Sequence, residues 1–77
     1  MPNGKAITFR FYRTIPEIIT LAERKDKQHC RELGKKLNEL GGFALMLTAG
    51  ESVQMLDNDA RIFVERIAWP GVGGWMG

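Results

Sequence analysis

Trp69-Pro70-Gly71-Val72-Gly73-Gly74-Trp75-Met76-Gly77 crowds two tryptophans and four glycines into the end of the chain, where domains are usually polar and frayed. Each indole offers on the order of 200 Å² of surface to bury, and glycine lets the backbone bend tightly enough to press a ring onto a neighbouring surface. The stretch therefore reads as a docked tail. Packed inward, Trp69, Val72, Trp75 and Met76 close a small core; left outward, they form an apolar anchor of the kind that dominates protein interfaces.

The rest of the chain makes that choice matter. At 77 residues it is a single domain, able to bury only about 60% of the surface its unfolded form exposes. The lone cysteine, Cys30, has no internal disulfide partner, and the lone histidine, His29, cannot complete a four-ligand zinc site. No covalent or metal staple is expected, nor any cofactor. An unpaired thiol favours a reducing compartment, and no stretch has the apolar length of a signal peptide or a membrane span. The expectation is a cytoplasmic protein with no membrane partner. Charged residues make up 26% of the chain, an ordinary share that argues against global disorder. The net charge of +2 hides an asymmetry: residues 1–40 hold nine Lys/Arg against five Asp/Glu, and residues 41–77 hold two against four. The halves attract each other, within one chain or between two.

Residues 6–13 alternate Ile7, Phe9 and Phe11 with Thr8, Arg10 and Tyr12, the period of a strand or an extended arm. A single strand cannot satisfy its own backbone, so the segment must pair with another strand, pair across a dimer, or be helical after all. Thr14, Pro16 and Glu17 have the residue types of a helix start. From there to Gly41-Gly42 an apolar stripe recurs at helical spacing through Ile15, Ile19, Ala22, Cys30, Leu33, Leu37 and Leu40. Asp26 interrupts it. Either the helix breaks around Arg24–Lys27 or its centre overhangs the core; one long helix with a solvated centre is the preferred reading. Gly41-Gly42 ends it. A second helix over about 43–55 follows, with a buried strand at 44–48 as its alternative. Asp57-Asn58-Asp59 reads as a turn and cap, and Ala60, Phe63, Val64 and Ile67 mark a third helix ending near Trp69-Pro70. The fold class is mostly α: three helices, an extended N-terminal arm and a docked tail. The alternative is α+β, with the N-terminal segment as a strand.

No catalytic constellation emerges. His29 and Cys30, adjacent on a helix, point about 100° apart and cannot act as base and nucleophile. Asp57 and Asp59 lack the glycine and the terminal glutamate of a calcium loop. The tail glycines resemble a phosphate loop without its lysine or its helix. An enzyme is not expected. Arg24, Lys27, Arg31 and Lys35 form a basic stripe opposite the apolar one, and with Arg10 and Arg13 among the arm aromatics they form a candidate nucleic-acid face. Glu23 and Glu32 flank that stripe and weaken it.

Leu37-Asn38-Glu39-Leu40-Gly41-Gly42-Phe43-Ala44-Leu45-Met46 and Trp69-Pro70-Gly71-Val72-Gly73-Gly74-Trp75 together resemble a group of short bacterial proteins. In those a helix ends in Gly-Gly-Phe followed by Leu-Met, and the C-terminus carries Trp-x-Gly-Ile/Val-Gly-x-Trp. The resemblance covers roughly residues 31–77 and implies a compact helical unit with a docked tail; it implies no activity. The functional expectation is a small protein–protein interaction module, self-associating or regulating a larger complex, with Trp69, Val72, Trp75 and Met76 as candidate interface. The alternative is a nucleic-acid-binding protein.

Overall fold

The computed structural model describes residues 2–75, with side chains from residue 11 onward. Three helices run in order: α1 (Pro2–Glu23), α2 (Lys27–Leu56) and α3 (Asn58–Phe63), the last continuing as a π-helical turn, Val64–Ala68. No strand occurs among the described residues.

The N-terminal arm is thus helical rather than extended. Two periodicities compete over residues 6–13, and the helical one wins because it continues into Phe11, Ile15, Ile18 and Ala22, all buried. A helix also satisfies its own backbone where no strand stands ready to pair. Thr14, expected as a cap, lies inside α1, where its hydroxyl donates to the Phe11 carbonyl (2.6 Å). Pro16 also lies inside the helix, on its exposed face.

Asp26 breaks the stripe rather than overhanging it. The break corrects the reading of one continuous helix from Thr14 to Gly41. Lys25 takes a left-handed φ of 56°; its N–H reaches the Ala22 carbonyl (3.0 Å) and the Asp26 N–H reaches that of Leu21 (2.9 Å), closing α1 with the paired bonds of a Schellman motif. The Lys25 ammonium then sits over the Phe63 ring, 5.3 Å from its centroid, tying the turn to α3. Asp26 immediately caps α2, its carboxylate accepting from the His29 N–H (3.2 Å) and meeting His29 Nδ1 (2.7 Å).

Within α2 the chain kinks at Gly42, with φ 74° and ψ −166°. That region is essentially closed to other residues, so Gly42 ends the first arm of α2 and lets the second, 43–56, turn back across the core as a helix. Asp57 caps α3 by accepting from the Ala60 N–H (3.1 Å). The core gathers Ile18 from α1, Cys30 and Leu37 from the first arm of α2, Met46 and Val53 from the second, and Val64 and Trp69 from the chain end, all almost fully buried. No buried side-chain nitrogen or oxygen among the described residues lacks a partner.

Candidate functional site

The tail is the first candidate, and it is core. Trp69 is 0% exposed and lies on the first arm of α2, where its Nε1–H donates to the Cys30 carbonyl (2.9 Å). Its ring sits so close to the helix that a Cβ on Gly34 would fall 2.7 Å from it. Trp75, 8% exposed, meets Trp69 edge-on at 5.1 Å, leans on Phe43 at 5.3 Å, and donates its Nε1–H to the Glu65 carbonyl (3.0 Å). Val72 is buried between them in the chain. The loop itself is closed by bonds from the Val72 N–H to Trp69 O (2.8 Å), from Trp75 to Val72 (2.9 Å) and from Gly71 to Trp75 (2.9 Å). Gly73 adopts φ 56°, and a Cβ there would strike the Asn38 side chain at 2.6 Å. The outward reading of Trp69, Val72 and Trp75 as an apolar anchor is therefore corrected: each indole has an internal surface and an internal acceptor, so nothing remains for a partner to desolvate. Met76 lies outside the described residues.

The second candidate, the basic face, is divided. Arg24, Lys27 and Lys35 are exposed. Arg31 is half-buried, and its Nη1 donates to the carbonyls of Ala68 (3.1 Å) and Pro70 (2.6 Å), clamping the tail entrance onto α2. The basic first half of the chain does reach the second half here, through backbone carbonyls at the end of the π-helical turn. Arg13 is exposed on α1, and Arg10 lies on α1 outside the described side chains. The six basic residues thus do not act as one surface: Arg31 is held within the fold.

A surface that sequence reasoning missed lies between α1 and the end of α2. Tyr12, Ile15 and Pro16 of α1 and Ser52, Met55 and Leu56 at the end of α2 line one groove. Met55 is 88% exposed, Leu56 72% and Tyr12 64%, the three largest exposures among the large apolar side chains of the described residues. None of the six lining residues carries a charge. The signal was present only in part: the buried face of this arm runs through Met46, Ala49 and Val53, so Met55 falls off it, whereas Leu56 keeps helical spacing with Ala49 and Val53 and is exposed at the end of the arm, just before the Asp57 cap. A neighbouring depression lies along the opposite flank of α1, lined by Pro16, Glu17, Thr20, Leu21 and His29.

Two titratable groups are shifted from their ordinary values, Cys30 and Asp26. Burial pushes the Cys30 thiol up to about 11, with the nearby Asp26 charge adding to the shift, so it stays protonated and inert. Asp26 is held below the usual carboxylate range, first by the His29 backbone N–H and then by the His29 side chain. No group of three His, Cys, Asp or Glu residues among those described is placed to hold a metal ion. No described helix is long and apolar enough to cross a membrane. No protein-family model, curated protein or solved structure matches the chain.

Proposed function

We propose that this protein is a small helical protein–protein interaction module acting in the cytoplasm, and that its contact surface is the groove of Tyr12, Pro16, Met55 and Leu56 instead of the tryptophan tail. The observation that carries the reading is the coincidence, in one uncharged groove, of the three most exposed large apolar side chains among the described residues, where no buried side-chain nitrogen or oxygen is left unsatisfied. A contiguous apolar patch on a small soluble fold is costly to keep in water and marks a contact surface. The chemistry needed for catalysis or metal binding has no counterpart beside it. Nucleic acid is the weaker partner class, because the groove is uncharged and the basic face has lost Arg31 to the fold.

Site-specific photo-crosslinking in cells tests this. A photoreactive residue at Met55 should give a discrete protein adduct, whereas the same residue at Asn58, exposed one turn away beyond the Asp57 cap, should give far less. Equal labelling from both positions, or none from Met55, contradicts the proposal.

A further inference from the structure

We propose that this chain has a second folded form, an intertwined dimer in which α2 straightens at Gly42 and residues 43–75 of each copy pack onto residues 2–41 of the other. That form does not depend on what the groove binds; it follows from how the two halves of the chain are joined.

The two arms of α2 meet at a single residue. Gly42 alone departs from helical geometry between Lys27 and Leu56, and it does so at φ 74° and ψ −166°, a conformation that residues with a Cβ take only under strain. A Cβ placed there meets no atom within 4 Å, so it is the backbone, and no neighbouring side chain, that demands glycine. Gly41 is needed for a different reason. Its Cβ would fall 2.9 Å from that of Leu45, because the bend folds Leu45 back beside it; in a straight helix residues i and i+4 stand about 5–6 Å apart at their Cβ atoms. Both glycines therefore permit the bend, and a straight helix needs neither, since glycine is a poor helix former.

The contacts that close the monomer lie across this hinge. Trp69 donates to the Cys30 carbonyl, Arg31 holds the carbonyls of Ala68 and Pro70, and Lys25 lies over Phe63. The charge divides at the same place, with nine Lys/Arg against five Asp/Glu in residues 1–40 and two against four in residues 41–77. The halves attract each other whether or not they belong to one chain. When the hinge opens, the same contacts re-form with a second copy, and a short connection under strain is the condition that favours such exchange. The straightened α2 is one helix of 30 residues, about 45 Å long, against 36 Å for the longest dimension of the closed chain. Each groove is then shared, with Tyr12 and Pro16 from one copy and Met55 and Leu56 from the other. One dimer carries two such grooves, so exchange turns a single contact surface into a bivalent one.

Sedimentation velocity on the full chain, with the handedness of residue 42 varied, tests this. The Gly42 conformation is the mirror image of the extended region that ordinary residues adopt freely. D-alanine therefore fits the bend and opposes a right-handed helix, whereas L-alanine does the reverse. Gly42→Ala should favour the dimer at least about a hundredfold over wild type, and Gly41→Ala about tenfold. The D-alanine chain, assembled by ligation at Cys30, should stay monomeric up to about 1 mM, while wild type refolded at that concentration should yield a dimer fraction. In a Gly42→Ala dimer refolded from isotope-labelled and unlabelled chains, the Trp69 ring should contact Gly34 of the other copy. Three results overturn the proposal: a Gly42→Ala chain that is helical by circular dichroism yet monomeric at about 1 mM, equal dimerisation by the two alanines, or a dimer whose Trp69–Gly34 contacts all lie within one chain. Should Gly42→Ala fail to fold, Gly41→Ala, whose φ is not positive, carries the same test with the same outcomes.

Discussion

The tryptophan tail and the α1–α2 groove draw on similar side chains, aromatic rings and long aliphatics, yet one is sealed and the other open. The tail carries the means of close approach. Gly34 removes the Cβ that would strike Trp69, Gly73 removes the one that would strike Asn38, and both indole N–H groups donate to backbone carbonyls, those of Cys30 and Glu65. Around Tyr12, Met55 and Leu56 no glycine lines the surface, and these three side chains stay exposed among the described residues. Burial in this protein is decided less by the hydrophobicity of a residue than by whether the surface opposite is flat enough to receive it.

The largest expected effect is on the sealed side. Trp69→Ala removes the largest fully buried side chain and should cost about 3–5 kcal/mol. A domain of this size rarely holds more than about 3–5 kcal/mol in all, so the variant should be largely unfolded at 25 °C by circular dichroism. Cys30, otherwise shielded, should then react with a thiol reagent at the rate of an exposed cysteine. Next comes Gly34→Ala. In an exposed helix that change usually stabilises by up to about 1 kcal/mol, but here the new methyl meets the Trp69 ring, and urea unfolding should show a loss of about 1–3 kcal/mol. Alanine that stabilises would show that the ring does not sit on this helix.

Arg31→Gln should have a smaller effect, about 1.5 kcal/mol, from two lost charge-assisted bonds to Ala68 and Pro70. Salt should leave that difference almost unchanged, whereas an exposed cation serving only long-range attraction would be screened. The smallest effect is at the α2 cap. Asp26 has its carboxyl lowered in the folded state, so its contribution to stability is present above the ordinary carboxylate range and is lost as pH falls through the lowered value. Thermal melts of wild type and Asp26→Asn should therefore differ at pH 7 and converge toward pH 2; a gap that widens on acidification contradicts the assignment of Asp26 as the cap.

The helical class was legible in the sequence because the 3.6-residue stripe through Ile15, Ala22, Leu33 and Leu37 and the breaks at Gly41-Gly42 and Asp57 are local signals. The α1 register was not, since Phe9, Phe11 and Tyr12 fit a strand as well as a helix until the stripe beyond them is weighed. The turn at Arg24–Asp26 was half-legible. Asp26 marked the interruption, but a lysine in the left-handed C′ position, where glycine is usual, carries no sequence signature. The docked tail was legible, but which surface receives it, core or partner, was not. Aromatic residues beside glycines announce a close packing contact without saying which surface receives it, and only the position of Gly34 opposite Trp69 shows that the receiver lies within the chain. Met55 and Leu56 drew little weight for the complementary reason: exposure is a property of three-dimensional packing, and a short apolar pair at a helix end has no pattern of its own.

The most direct test sets the two regions side by side in one urea titration, comparing Trp75→Ala with Met55→Glu at a protein concentration of about 1 μM, where association plays no part. The account predicts that Trp75→Ala lowers the unfolding free energy by about 3 kcal/mol while Met55→Glu stays within about 0.5 kcal/mol of wild type. A neutral Trp75→Ala, or a Met55→Glu as damaging as it, would contradict the assignment of the tail to the core and of the groove to the surface.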